Sequence, residues 1–317
     1  MNIINKISEC RVLLMALAIT LVVIYHYKCW INGLPWYIGV IIKYGYIGVD
    51  IFFFLSGFGL TYSYKKNNLK TFYINRLKKI LPCYILYGFI LILHIYFTSK
   101  TSLTFSQIVY KFSCFEYIFE HKGIDWFMNA LLILYILFPL IFHITKKLNI
   151  YIIITCIPII YITTLCTDLH WTHLAMVHRI PMFLLGIYCA LNVSKSKHYV
   201  PITLLYLIYF IGIIIHNQHN MEFLYTTMLT PLLIYIIILL STNTPLSSFI
   251  QKHLYRQTKT IGSNTLQIYY GTNLASLSYD YLPDAGYSTK AIIFIIYLIF
   301  GSYLFNWITI KSNNFLQ

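Results

Sequence analysis

Apolar runs close to the length of a membrane-spanning helix recur from one end of this sequence to the other. Hydrophobic residues make up 59% of the 317 positions and charged residues only 10%, whereas soluble domains carry roughly a quarter charged residues. A helix needs about 20 mostly apolar residues to cross a bilayer. The sequence therefore predicts an all-α, polytopic membrane protein, and no interval between the runs is long enough for a separate soluble domain.

Ten transmembrane helices are predicted from these runs, in one bundle around a polar cavity. Their spans are 11–30, 38–63, 80–97, 124–144, 149–166, 172–192, 199–215, 222–240, 261–278 and 289–310. The second span is long enough to begin with an interfacial segment. Residues 1–317 are predicted to form a single integral-membrane domain.

Lys and Arg cluster at every second connection, and this bias sets the predicted orientation. Both termini are predicted to be cytoplasmic, in a multi-pass protein of the plasma or inner membrane. The net charge of +14 is explained by this bias and by anionic lipid; no nucleic-acid partner is predicted. The first run lacks a cleavage site and predicts a retained helix. The seven cysteines show no metal-type pair and indicate core residues.

The stretch 44–64 contains the first candidate functional residue, Asp50. A carboxylate inside an apolar run needs a partner, which makes it a functional-site hypothesis. In one interpretation Asp50 orients the ring of His26 and stabilises its charged form, as the carboxylate of a hydrolytic triad does. In the other it forms a structural ion pair with Lys43 or Arg179.

His26 is the candidate general base. It lies fifteen residues after Arg11, which corresponds to about 22 Å of helix, so Arg11 is predicted near the inner surface and His26 near the outer one. A neutral imidazole beside a membrane cavity can deprotonate a hydroxyl group. The alternative is an interfacial histidine bonded to a neighbouring helix.

A basic loop over 65–79 follows the second predicted helix. Its Arg76 and Lys79 are cationic donors that suit phosphate or pyrophosphate groups. Anchoring to anionic lipid explains the same charges equally well. Small residues in the preceding helix predict close helix approach around the cavity; they are Gly48, Ser56, Gly57 and Gly59. We expect Trp126 to line that cavity.

A group of potential metal ligands precedes the sixth predicted helix, namely Asp168, His170, His173 and His178. Their spacing alone does not define a site, and we predict no metal and no bound cofactor. Arg179 follows them at the outer part of a helix, where it could be a counter-ion for a carboxylate or bind an anionic acceptor.

Three other stretches are predicted to have structural roles. The connection 98–123 is the longest on the predicted outer side and could cover a site. The connection 241–260 is interpreted as a linker with an interfacial helix. In the segment 261–270, Ser263 or Asn264 is expected to cap the ninth helix.

Six separated segments match one family in the family's order. They are RVLLMALAITLVVIYH, IGVDIFFFLSGFGL, RLKKILPCY, DWFMNALLILYILFP, RIPMFLLGIYCA and IGSNTLQIYY. The chain resembles the acyltransferase-3 family of integral-membrane O-acyltransferases, which modify surface polysaccharides, lipopolysaccharide and related glycans. GVDIFFFLSG and the first helix ending in His carry most of this resemblance.

Three positions depart from the family pattern. The family's first-helix Arg would stand at Met15, and Arg11 lies one turn earlier. Lys79 stands where the family often has a second Arg after Arg76. Gly271 stands where the last motif often ends in a His, so no catalytic residue is assigned there.

The resemblance implies transfer of an acyl group, most often acetyl, from a cytoplasmic acyl-CoA such as acetyl-CoA. The implied acceptor is a hydroxyl of a cell-surface glycan or lipid-linked saccharide. His26 would act as base or carry the acyl group, with Arg11, Arg76 and Lys79 on the donor phosphates. We expect no appended domain, so the membrane part must perform the transfer. A transporter or flippase of a lipid-linked glycan is the main alternative, and a polysaccharide polymerase is a third.

Overall fold

The computed structural model describes residues 3–27, 35–100, 103–192, 199–216, 221–242, 255–277 and 287–315. Within these ranges the regular structure is helical and no strand occurs, so the all-α prediction is confirmed. Two predictions lie in part outside the described residues: the end of the first helix, at 28–30, and the linker, at 243–254.

The helices of the described chain are joined by short connections. They are α1 (Ile3–Tyr27), α2 (Trp36–Lys43), α3 (Ile47–Lys66), α4 (Leu69–Ser99), α5 (Phe105–Phe112), α6 (Cys114–Glu120), α7 (Trp126–Ile136), α8 (Phe138–Leu148), α9 (Tyr151–Cys166), α10 (Trp171–Val177), α11 (Ile180–Leu191), α12 (Tyr199–His216), α13 (Glu222–Thr242), α14 (Tyr255–Ser263), α15 (Thr265–Leu277) and α16 (Tyr287–Phe315). One 3₁₀ turn, Tyr44–Tyr46, joins α2 to α3.

Six described helices are long and apolar enough to cross a membrane, or seven spans if α7 and α8 together count as one. The ten predicted spans are not confirmed. A 65° bend separates α7 from α8, and Asn264 interrupts the predicted ninth span between α14 and α15. Two other predicted spans are shorter apolar helices, over Tyr151–Cys166 and Ile202–Ile211. The cytoplasmic position of both termini stays a prediction.

The prediction of a basic loop over 65–79 is wrong, because this segment is almost entirely helical. Only two residues separate α3 from α4, and Arg76 and Lys79 lie on α4. The side chain of Asn68 caps α4 by accepting a hydrogen bond from the Thr71 N–H at 2.8 Å. Lys and Arg are good helix formers, so the charges continue the helix instead of ending it.

The described chain divides into two compact units, each assembled from three segments. Unit 1 comprises Met1–Ala18, Tyr46–Asn67 and Leu134–Ser263, and unit 2 comprises Ile19–Gly45, Asn68–Ile133 and Asn264–Gln317. The segments of the two units alternate along the sequence. The expectation of a single domain over 1–317 stays a prediction.

Unit 1 is organised around α3 and α11, which run side by side in the same direction. Near the middle of the pair, a Cβ atom on Gly57 would overlap the carbonyl oxygen of Phe183, and one on Gly186 would overlap that of Phe54. At the ends, Lys65 Nζ donates to the Ala190 carbonyl at 3.4 Å. Small residues at such contacts let helix backbones approach closely in lipid. The predicted close approach is therefore found at Gly57.

Unit 2 is organised around the antiparallel helices α15 and α16. A Cβ atom on Gly271 would lie 2.5 Å from the Ser302 hydroxyl, and one on Gly301 would lie 3.0 Å from the Gly271 Cα. Gly271 therefore stands where it does because of helix packing, and a larger side chain has no room at this crossing. The end of α1 packs on the same helices, through contacts with Ala275.

Replacing Gly57 with Ala is expected to lower the thermal unfolding temperature of the purified protein. The added methyl group meets a backbone oxygen, which cannot rotate away, and overpacking costs about 1–3 kcal/mol. The matched control is Gly39→Ala, since no atom lies within 4 Å of a Cβ at Gly39. Equal unfolding temperatures for the two variants would contradict the close crossing.

Candidate functional site

The imidazole of His26 lies in the last turn of α1, half-buried, within unit 2. Its Nδ1 is 2.8 Å from the carbonyl oxygen of Val22 in the preceding turn. A carbonyl can only accept a hydrogen bond, so Nδ1 must carry the proton. In the neutral ring Nε2 is then the basic nitrogen, which is the form that a general base requires.

The carboxylate of Asp50 and the guanidinium of Arg179 form a buried ion pair in unit 1. Arg179 Nε lies 3.2 Å from Asp50 Oδ1, with the two side chains 1% and 0% exposed. Thr227 Oγ1 donates to the same oxygen at 2.8 Å, and Asp50 lies in the first turn of α3, where the helix dipole favours a negative charge. Of the partners considered for this acid, the structure shows Arg179.

Arg179 is fixed on three sides within unit 1. Beyond Asp50, its Nη1 donates to the Ala175 carbonyl at 2.6 Å, and its guanidinium carbon lies 4.8 Å from the centre of the Phe223 ring. His26 belongs to unit 2, and its Nδ1 is already bonded to the Val22 carbonyl. The orientation of His26 by Asp50 stays a prediction.

Arg11 lies against α3 in unit 1. A Cβ atom on Gly59 would lie 3.1 Å from Arg11 Nη2, so the absence of a side chain at Gly59 makes room for the guanidinium. Nine residues of helix, about 13 Å, separate Gly59 from Asp50 along α3. Ser56 lies between these two positions and is half-buried.

The remaining predicted donor-binding residues lie on α4 in unit 2. Arg76 is half-buried and Lys79 is exposed. The Nε of Arg76 is buried and has no hydrogen-bond partner among the described residues. An arginine in this state has a donor available for an anionic group.

His26 and Arg76 lie towards opposite ends of unit 2. Tyr27, beside His26, packs against Phe294 on α16 at 5.3 Å between ring centres, whereas Cys83 on α4 contacts Thr309 on α16 at 3.2 Å. The rise from Phe294 to Thr309 is about 22 Å. Because α4 is antiparallel to α16, Arg76 lies further from His26 than Cys83 does.

Between these two ends is a group of buried polar side chains that sequence reasoning missed. Tyr269 Oη donates to Asp125 Oδ1 at 2.8 Å, and Tyr84 Oη donates to Asn129 Oδ1 at 2.8 Å. Asp125 lies in the turn before α7, and its burial raises its pKa to about 6. The signal for it was present, because a lone acid directly before an apolar run is rare in a chain with nine Asp and Glu residues. Trp126, the predicted cavity residue, is next to Asp125 and half-buried.

The potential metal ligands before α11 are separated by the fold. His178 is buried, with Nε2 2.8 Å from Thr164 Oγ1, while Asp168 and His170 are exposed. His170 Nδ1 lies 2.9 Å from Thr172 Oγ1 at the start of α10. Within the described ranges no three His, Cys, Asp or Glu side chains come together as metal ligands.

Apolar spanning helices that carry a tautomer-fixed histidine and a buried ion pair define a membrane protein with an enzyme-like site. A family model described as an acyltransferase domain matches residues 13–311, nearly the whole chain. The chain therefore belongs to the acyltransferase-3 family and is a membrane acyltransferase. No curated protein and no solved structure gives a significant match.

Removing either charge of the Asp50–Arg179 pair is expected to destabilise the protein strongly. Asp50→Asn or Arg179→Met leaves the other charge buried, at a cost of about 3–5 kcal/mol, whereas the double variant should regain much of this loss. A double-mutant cycle on unfolding in detergent measures the coupling.

The exposed pair Lys6–Glu9, at 2.7 Å, provides the control for this cycle. Glu9→Gln should change stability by at most about 1 kcal/mol. Additive losses in the Asp50–Arg179 cycle would show that the two buried charges do not depend on each other.

Proposed function

We propose that this acyltransferase moves an acyl group, most often acetyl, from a cytoplasmic acyl-CoA to a hydroxyl of a cell-surface glycan or lipid-linked saccharide. The enzyme would act as a multi-pass protein of the plasma or inner membrane and without a bound metal or cofactor. The observation that carries the proposal is the bond between His26 Nδ1 and the Val22 carbonyl, because it leaves Nε2 as the base.

In the direct version of the reaction, Nε2 of His26 takes the proton of the acceptor hydroxyl. The resulting alkoxide attacks the thioester carbonyl of acyl-CoA, and the tetrahedral intermediate collapses with loss of the CoA thiolate. The imidazolium returns its proton to that thiolate, so the ring ends neutral. In the covalent version, Nε2 itself attacks the thioester and then passes the acyl group to the hydroxyl.

Donor binding is proposed at Arg76 and Lys79, with Arg11 as a further candidate. The half-buried guanidinium of Arg76, with Nε unpartnered among the described residues, supports this role. Its place on α4, distant from His26, requires that the acyl group travel along unit 2, either on the extended pantetheine arm or by relay through an enzyme-bound intermediate.

Residues of unit 1 are proposed to support the site without performing the chemistry. Asp50 balances the charge of Arg179, and Ser56 and Arg179 are candidates for the cavity wall. In unit 2, Trp126 is a candidate for the same role. The alternative of a glycan transporter has no observation in the described residues that favours it over acyl transfer.

His26→Ala is expected to reduce acyl transfer by about 10²–10⁴-fold, the usual contribution of a general base. The assay supplies labelled acetyl-CoA and glycan from a strain lacking the gene to protein in nanodiscs. His143→Ala, a substitution of an exposed histidine in unit 1, is the matched control. Transfer that survives in His26→Ala would remove His26 from the mechanism.

Arg76→Ala is expected to raise the acyl-CoA concentration for half-maximal rate by about tenfold or more, because a charge-assisted hydrogen bond is worth about 1.5–3 kcal/mol. Arg76→Lys should fall between Arg76→Ala and wild type, since lysine keeps the charge but loses the bidentate geometry. Lys147→Ala, at the exposed end of α8, should leave this concentration unchanged. An unaltered donor dependence in Arg76→Ala would place the phosphates elsewhere.

A further inference from the structure

A buried cluster in unit 2, formed by Tyr84, Asp125, Asn129, Tyr269 and Tyr270, has hydrogen-bonding capacity that the described protein does not use. We propose that this polar cluster binds the saccharide acceptor through its hydroxyl groups. The inference rests on the proposed O-acyltransferase function and names the part of the chain that would recognise the acceptor.

The unused capacity consists of both donors and acceptors. Asp125 Oδ1 accepts from Tyr269 Oη at 2.8 Å and from the Phe127 N–H at 3.1 Å, but Asp125 Oδ2 has no partner among the described residues. Asn129 Oδ1 accepts from Tyr84 Oη at 2.8 Å, and Asn129 Nδ2 is likewise without a partner there. A hydroxyl group both donates and accepts, so neighbouring hydroxyls of one sugar can satisfy both atoms.

The cluster is deeply buried and surrounded by aromatic rings. Asp125 is 7% exposed and Asn129 is 0% exposed. The ring of Tyr270 lies 5.1 Å from that of Tyr87, and Tyr269 lies 5.0 Å from Phe127, measured between ring centres. Aromatic walls with a few polar groups of fixed direction are the common lining of small-ligand sites.

The cluster shares one helix with the end of α1 that carries His26. Tyr269 lies on α15, and Ala275, on the same helix, packs against Tyr27. Six residues separate Tyr269 from Ala275, which is about 9 Å along the axis. A short saccharide held at the cluster can therefore present a hydroxyl towards His26. A carboxylate here also disfavours the anionic end of the donor.

The connection before α7 is shaped to bring these side chains inward. It packs on α4 at Gly88, where a Cβ atom would lie 2.5 Å from the Phe112 ring and 2.6 Å from Ile124. Gly123 has a φ of +97°, and a Cβ there would lie 2.5 Å from Asn129 Nδ2. Two glycines thus make room for the residues that place Asp125 and Asn129 in the core.

The test compares wild type with Asp125→Asn and Tyr84→Phe, each in nanodiscs. Two quantities are measured with glycan extracted from the envelope of a strain lacking the gene: glycan retained by immobilised protein without acyl-CoA, and the rate of acyl transfer as glycan and acyl-CoA are varied separately. Asp168→Asn, a change at an exposed carboxylate, is the control. Tyr84→Phe removes one hydroxyl and tests the cluster even if Asp125→Asn fails to fold.

We expect both cluster variants to lose glycan retention and to need about tenfold or more glycan for half-maximal rate, because a buried polar partner is removed. The acyl-CoA dependence should stay within about twofold of wild type, well below the effect of one lost hydrogen bond. Unchanged glycan retention in both variants would overturn the proposal. A shift in the acyl-CoA dependence instead would assign the cluster to the donor arm and would overturn it as well.

Failure of the function and failure of the site give different results. If wild type retains glycan and the cluster variants do not, but no protein transfers acyl groups, the proposed reaction is wrong and the saccharide site stands. If wild type transfers acyl groups and the variants match it in every measurement, the reaction stands and the site is wrong. Wild type that neither retains glycan nor transfers acyl groups would reject both.

Discussion

The ion pair between Asp50 and Arg179 constrains the rest of unit 1, since neither charge is tolerable alone in an apolar core. In lipid, helices gain little from hydrophobic association and are held by packing and polar contacts. Here both act on the same two helices: Gly57 and Gly186 let α3 and α11 touch, each seven residues beyond a member of the pair. A change that separates the helices also separates the charges, so packing and electrostatics in unit 1 are one constraint.

Unit 2 uses the same small-residue packing for a different result. Gly271 and Gly301 bring α15 and α16 together, which explains a glycine where the related motif often ends in a histidine. The polar groups beside this crossing are not neutralised as Asp50 is. Asp125 and Asn129 each use one oxygen within the protein and keep one polar atom unsatisfied among the described residues. Such atoms are costly to bury, and a ligand that bonds to them gains what the empty protein lacks.

The sequence predicted what depends on composition and failed where backbone geometry decides. Apolar runs gave an all-α membrane protein, and the need of Asp50 for a cation gave Arg179 as one of its possible partners. The 65° bend between α7 and α8 lies inside a uniformly apolar run, where no residue pattern marks it. The basic residues around Arg76 were assigned to a loop because charge was weighed above helix propensity, although Asn68 was present as a cap. Asp125 was missed because its partner, Tyr269, is distant in sequence.

The bond that orients His26 also bears on how the reaction proceeds. A carbonyl oxygen at Nδ1 fixes the tautomer, but it stabilises a protonated ring less than the carboxylate of a hydrolytic triad does. An imidazolium at this place is therefore a short-lived species, which favours a mechanism that returns the proton to the leaving thiolate without delay. That requirement is met when acceptor hydroxyl and thioester are held together before the proton moves. In such a mechanism the precision of ligand binding, more than the strength of the base, determines the rate.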